Sequence, residues 1–500
     1  WLTVQFVASH LVIVLRAVQH MASEAREFLP DGSGETVEEA LARRKQVRNT
    51  CIAAFSNLST AYNLVNINLA HVVLQNEYCD GGDKCPGEVT TASTACLVGA
   101  IVGQLTFGYV GDCLGRGRAL QLTMMLSIFG ALVSAFAFPL NSSYRPSVFT
   151  FLSISRFVLG IGVGGVYPLA ATIAAESSTQ NTNRGRAVSI VFSMQGIGTL
   201  LVPLVGMAAL YGFGTPEDRT ALGTPVPGLA WRFILGIGAL PGIILLPFKT
   251  RSSSSESSTR PSQPVGTLTV FQALGMRKYW KSLVGCAGGW FLFDITFYGN
   301  TLFQPTVLQA VFGKTDSKGF TPTIGHRLET NLCEQLVIIA LIGLPGYYIA
   351  AWLMDKLGRK NIQLQGFVMM AVLYGILGIW IDSISNSSHV LLLIIYGLTF
   401  FFSNFGPNST TFILPSESFP FEVRTSLNGF CAASGKAGAA IGSALFKPIQ
   451  NATSNQTVFL MCAACSLIGV AITAFCIDDR RGRGMQGESF IVTEDSKADA

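Results

Sequence analysis

At 500 residues, 49% hydrophobic and only 13% charged, with a mean hydropathy of +0.45, this chain has too little polar surface for a soluble protein. Soluble domains carry roughly twice that charged fraction. The net charge of +5 is too small to point to nucleic acid.

The apolar residues gather into about twelve runs of about 18–25 residues, each long enough to cross a ~30 Å hydrocarbon layer. The expected fold class is therefore an all-α polytopic membrane protein. Residues 1–50 come first: an apolar stretch broken by Arg16 and His20, then a polar segment over 21–48 read as a cytoplasmic helix. The first half follows over 51–248, with runs at 51–75, 90–111, 118–138, 148–177, 187–211 and 229–248. A basic, serine-rich linker occupies 249–279 and has flexible composition. The second half covers 280–478, with runs at 280–312, 332–354, 361–382, 389–416, 427–446 and 456–477. The tail 479–500 is polar and is expected to be disordered.

Basic residues follow each even-numbered run. They are Arg116 and Arg118, Arg184 and Arg186, Lys249 and Arg251, Lys356, Arg359 and Lys360, Arg424, and Arg480, Arg481 and Arg483. The positive-inside rule places those loops and both termini in the cytoplasm. The glycosylation sequons at Asn141, Asn386, Asn451 and Asn455 all fall in loops on the opposite, outer side. Two further matches, at Asn57 and Asn408, lie within apolar runs and are poor acceptors. Most of the eleven cysteines also lie in apolar runs, where a small buried hydrophobe is the usual reading. Cys79 and Cys85 share an outer loop, where a disulfide is open to them. No histidine has metal-ligand spacing, and no nucleophile–base set or phosphate-cradling loop appears, so neither a metal, a cofactor nor an enzyme activity is expected.

The halves repeat one another. GYVGDCLGRGR (108–118) follows the second run, and AWLMDKLGRKN (351–361) follows the eighth. Each contains Asp-x-x-Gly-Arg, and a tight turn explains the glycine but not the repeated acid and base. Such a duplication marks a carrier whose halves rock about a central site. Asp112, Arg116, Asp355 and Arg359 are expected to hold an inner gate closed. Glu176 and Glu417, at the ends of the fourth and tenth runs, are expected to join that gate beside Arg184 and Arg424. At the same spacing Tyr167 corresponds to Asn408, and Gln195 to Lys436, which suggests one cavity lined from both halves.

Several stretches resemble the inorganic phosphate:proton symporters of plants and fungi, a family of the major facilitator superfamily. They are GVYPLAATIAAES (165–177), FSMQGIGTLL (192–201), WFLFDITFYGNTLFQ (290–304), FFSNFGPNSTTFILPSESFP (401–420) and AASGKAGAAIG (432–442). The resemblance covers about residues 51–478. It implies the major facilitator fold, inorganic phosphate as substrate, a co-transported proton or other cation, and residence among the lipids of the plasma membrane. It also implies an anion site formed by Tyr167, Gln195, Trp290, Asp294, Tyr298, Asn408 and Lys436.

The chemistry of these residues agrees with that reading. A charge in hydrocarbon costs about 2.5–3.5 kcal/mol on insertion scales, so an intramembrane Lys436 or Asp294 is a functional candidate by default. Lys436 is a compact point charge suited to phosphate. Asp294 makes sense beside an anion if it accepts the acidic proton of dihydrogen phosphate or is itself protonated. Bland readings stand next to these: Asp294 and Lys436 as a structural ion pair, Trp290 and Tyr298 as packing aromatics, Gln195 and Asn408 as interhelical hydrogen-bond glue.

The chain departs from the family at three places. Thr60 and Asn63 stand where helix 1 aspartates are expected, and Val166 stands where an aspartate precedes the helix 4 tyrosine. A proton relay through those helices then has no titratable group. The competing functions are a sugar or polyol carrier, an organophosphate carrier for glycerophosphodiesters, and a phosphate-sensing nutrient receptor.

Overall fold

The computed structural model describes residues 37–79, 86–141, 145–177, 184–213, 229–247, 270–312 and 342–478. These residues are built almost entirely of helices, and no strand occurs among them. In chain order the helices are α1 (Val37–Tyr78), α2 (Pro86–Leu114), α3 (Arg116–Ala135), α4 (Val148–Ser177) and α5 (Arg184–Phe213). α6 starts with Leu229–Gly236, tightens into a 3₁₀ turn at Ile237–Ala239 and runs on to 247. After a short helical piece at Val270–Gly275, α7 combines Arg277–Leu283, a wide π turn at Val284–Gly288, and Gly289–Phe312. Then come α8 (Leu344–Leu357), α9 (Arg359–Ser387), α10 (His389–Ser403, a break at Asn404–Asn408, and Ser409–Ser418), α11 (Arg424–Ala452) and α12 (Asn455–Cys476).

Among the described residues, eight helices are long and apolar enough to cross a membrane: α2 to α6, α9, α10 and α12. α8 is described only over its last turns, while α1, α7 and α11 carry buried polar side chains in mid-helix. The polar segment expected ahead of the first run is continuous with it from Val37 onward, forming one long α1. Residues 1–36, the serine-rich linker at 252–262 and the tail after 478 lie outside the described residues.

Small residues set the helix spacing. A β-carbon at Gly99, Gly103, Gly160 or Gly164 would collide with main-chain atoms of the facing helix, so α2 and α4 pack backbone to backbone. Close approach by glycine is how membrane helices gain contact when water supplies no hydrophobic drive between them. Gly164→Val should cost about 3 kcal/mol, the upper end for overpacking. A thermal melt of the detergent-purified protein checks this, and an unchanged midpoint would show that the helices can part freely.

Buried amides brace the first six helices. Arg156 on α4 is fully buried, and its guanidinium donates to Asn66 Oδ1 at 2.9 Å and to the Asn63 carbonyl at 2.8 Å. Asn63 Nδ2 in turn donates to the carbonyl of Gly238, in the α6 turn, at 2.8 Å. Tyr62 OH donates to the Ile234 carbonyl at 2.8 Å. These bonds satisfy backbone groups freed where α6 is irregular, as hydrocarbon requires. The break in α10 is handled likewise: Gln365 donates to the freed Phe405 carbonyl, while Asn404 Nδ2 ties the break to α8 by donating to Gly343 O at 2.9 Å.

The repeated motif forms a sharp corner twice. Gly115 (φ 90°) joins α2 to α3, and Gly358 (φ 84°) joins α8 to α9; each is a single linking residue in the left-handed region, which glycine tolerates.

Candidate functional site

Seven side chains from five helices meet around one small cavity lined from both halves. α4 supplies Tyr167, α5 Gln195, α7 Trp290, Asp294 and Tyr298, α10 Asn408, and α11 Lys436. All but Tyr298 are buried. Lys436 Nζ donates to Asp294 Oδ2 at 2.9 Å and to Tyr298 OH at 3.0 Å. It also lies 4.4 Å from the ring centre of Tyr298 and 5.2 Å from that of Tyr167, so two aromatic faces share its charge. Tyr167 OH donates to Gln195 Oε1 at 3.2 Å, and Asn408 Nδ2 to Tyr347 OH at 2.9 Å.

Local sequence explains the placement. Gly435, next to Lys436, has no side chain because a β-carbon there would run into the Trp290 indole. Gly438 and Gly442 bring α11 against the α7 backbone, which holds Lys436 at the level of Asp294. Pro168 lies within α4 beside Tyr167, and the non-helical turn at Phe405–Gly406 breaks α10 just before Asn408.

Phe192 and Phe297 line the same space, and Tyr347 stands behind Asn408; none of the three is singled out from sequence. The Phe192 ring meets Phe412 at 4.6 Å and Tyr347 at 5.8 Å in tilted contacts, giving the cavity an apolar side. Tyr347 had a signal: at the spacing that relates Asp112 to Asp355, it answers to Gln104.

Thr60, Asn63 and Val166 are all buried. Asn63 acts as a donor to a main-chain carbonyl, a role an ionised aspartate could not fill.

The gate residues form two clusters near the helix ends. Asp112 is 3.2 Å from Arg116, one helical turn on, and accepts from Ser426 N at 2.8 Å, Ser426 Oγ at 2.6 Å and Thr425 N at 3.3 Å. Asp355 pairs with Arg359 at 3.0 Å and accepts from Arg186 N at 2.9 Å. Each motif aspartate therefore caps the first turn of a helix from the opposite half, α11 in one case and α5 in the other. Glu417 grips Arg359 through two bonds of 2.8 Å, not Arg424. Arg424 reaches across to Glu176 at 3.1 Å, because it opens α11, which packs against α4, the helix that carries Glu176. Arg116 lies 3.4 Å from Glu176, and the Arg184 side chain is outside the described residues.

At the outer ends, Asn141, Asn386 and Asn451 are exposed and Asn455 is half-buried. Asn57 is buried and donates to the α5 carbonyls of Val191 and Phe192. Cys79 is disulfide-bonded, while Cys85 lies outside the described residues.

The sequence profile of the Major Facilitator Superfamily matches residues 53–443. Low affinity inorganic phosphate transporter 4 of Petunia hybrida is 33% identical over 483 residues, covering 87% of this chain and 90% of its own. Inorganic phosphate transporter 1-6 of Oryza sativa subsp. japonica is 33% identical over 499 residues, with the same coverages. Among solved structures, the proton:xylose symporter XylE superposes with a TM-score of 0.68 at 16% identity, over 88% of this chain and 98% of its own. The E. coli fucose:proton symporter FucP superposes with a TM-score of 0.61 at 12% identity, over 85% of this chain and 98% of its own. At such identities these two carry the fold alone.

Proposed function

Because the chain belongs to the major facilitator superfamily, and within it to the family of the plant inorganic phosphate transporters, we propose that it carries inorganic phosphate across a membrane by alternating access. The observation that supports this most is the buried cation Lys436, held by Asp294 and Tyr298 in a cavity whose other polar lining groups are neutral donors.

Dihydrogen phosphate takes its place beside Lys436, which supplies the charge. The Tyr167 and Tyr298 hydroxyls, the Gln195 and Asn408 amides and the Trp290 indole replace the water the anion sheds. Asp294 either accepts a hydrogen bond from a phosphate hydroxyl or carries a proton in the loaded state, since two anions in contact in a dry cavity repel strongly. Residues 51–248 and 280–478 act as the two rocking units, joined by the 249–279 linker. Asp112, Arg116, Glu176, Arg184, Asp355, Arg359, Glu417 and Arg424 close the cytoplasmic side. The protein sits in the plasma membrane with both termini inside, and Asn141, Asn386, Asn451 and Asn455 are the outer glycan acceptors.

Energy coupling differs from a proton relay through α1 and α4, because Thr60, Asn63 and Val166 cannot titrate. Uptake of radiolabelled phosphate into proteoliposomes, run across pH and sodium, tests both parts. Phosphate uptake is expected with a shallow pH dependence and no competition by glucose or glycerophosphodiesters. Competition by either solute would reassign the substrate. In the double variant Thr60→Asp/Val166→Asp, the new carboxyls should make uptake rise as pH falls. An unchanged pH profile would place the coupling elsewhere.

A further inference from the structure

The contact between α2 and α11 contains a group of polar side chains that the central site does not use. Gln104 on α2 and Thr425 and Asn428 on α11 are all buried. Both ends of the Gln104 amide, the Thr425 hydroxyl and the Asn428 carbonyl oxygen have no hydrogen-bond partner among the described residues. Asn428 makes only a long 3.5 Å contact from Nδ2, to the carbonyl of Pro168 beside Tyr167. Each buried group left without its bond is destabilising, because it has lost water and gained nothing in return. Retaining several at one seam marks it as a place where something else supplies the bonds.

Position indicates what that is. Gly429 packs on the Gln104 main chain and Gly108 on that of Thr425, so the three side chains lie at successive levels of one seam. Thr425, Asn428, Ala432 and Lys436 are spaced three, four and four residues apart, which puts them on one face of α11. At 1.5 Å per residue, Asn428 is about 12 Å from Lys436 along the helix, toward the Asp112–Arg116–Glu176–Arg424 cluster. The unmatched groups include donors (Gln104 Nε2, Thr425 Oγ1) and acceptors (Gln104 Oε1, Asn428 Oδ1). Dihydrogen phosphate presents both complements, since two of its oxygens carry protons and two do not.

Resting on the phosphate reading above, we propose that Gln104, Thr425 and Asn428 form a second anion station, which holds phosphate after it leaves Lys436 and before it passes the Arg116 and Arg424 gate. The neutral amides grade the path: they bind the anion less tightly than Lys436, so release can proceed.

The test uses the purified full chain, with equilibrium phosphate binding in detergent and phosphate uptake in proteoliposomes. Gln104→Leu and the near-isosteric Thr425→Val should each keep phosphate affinity within about twofold while the maximal uptake rate falls about tenfold, the loss of one to two hydrogen bonds. Gln104→Glu should slow uptake more than Gln104→Leu, because a carboxylate on the route repels the anion. Wild-type uptake in both Gln104→Leu and Thr425→Val would overturn the proposal. So would Gln104→Glu matching the wild type, which would mean the seam only takes up water. If the wild-type protein neither binds nor moves phosphate, the function proposed above falls, and the station with it. Wild-type uptake that is lost in Lys436→Ala but untouched at the seam rejects the station alone.

Discussion

Lys436→Ala should reduce phosphate uptake by about a hundredfold or more, with binding lost alongside it. Lys436 is buried with its ammonium 2.9 Å from Asp294 and 3.0 Å from Tyr298. Removing one partner of a buried ion pair costs about 3–5 kcal/mol, because the other charge is left without compensation. Here the loss is double. The cavity forfeits its cation, and Asp294 then meets an incoming anion with nothing between them. Asp294→Asn makes the opposite change: it frees Lys436 from its carboxylate, so phosphate should bind more tightly while release slows. Lys436→Arg keeps the charge but swaps a compact ammonium for a planar fork in a closely lined site, and partial activity is expected. Radiolabelled uptake and calorimetric binding, measured on the same preparations, separate these outcomes. Retained uptake in Lys436→Ala would remove the lysine from the substrate site.

The second large effect is expected at the cross-half ion pair. Arg424→Glu should lower uptake about tenfold or more, and Glu176→Arg combined with Arg424→Glu should recover most of it. The Arg424 side chain is 4% exposed, and its guanidinium joins Glu176 at 3.1 Å to the Phe419 carbonyl at 3.1 Å. Reversing its charge gathers Asp112, Glu176 and the new glutamate around Arg116 alone, and like charges this close disfavour the closed arrangement. The swapped pair restores the balance without restoring the original residues. A double variant no better than Arg424→Glu would show that packing, not charge, matters there. Because the cluster is partly open to solvent, raised salt should soften the single defect.

Much of this was legible in the sequence because hydrocarbon is a demanding solvent. Apolar runs of membrane length announce themselves, and each is matched by a helix wherever the structure describes it. The repeated Asp-x-x-Gly-Arg was legible for a similar reason: a one-residue corner needs a left-handed glycine, and an arginine one turn beyond an aspartate can pair with it. Lys436 and Asp294 stood out because charges are costly where they sit. What escaped were properties of packing. Phe192 and Phe297 differ in no way, within the chain, from dozens of other apolar or aromatic residues. Only the fold turns them toward the cavity. The partnership of Arg424 with Glu176 depends on α11 lying against α4, a contact between distant segments that periodicity cannot report. The merging of the polar segment before the first run into α1 was hidden because polarity marks where lipid ends, not where a helix does.

The way the two motif aspartates hold their partners has a bearing on how this protein tolerates change over generations. Three of the hydrogen bonds to Asp112 and Asp355 come from main-chain N–H groups, at Thr425, Ser426 and Arg186. Those donors are the same for nearly every amino acid, so random replacement at Thr425, Ser426 or Arg186 leaves them in place. Only proline removes them. The main-chain part of each closure is thus specified by one aspartate per half, and it survives substitution at the receiving helix end even where the side chain there has a role of its own.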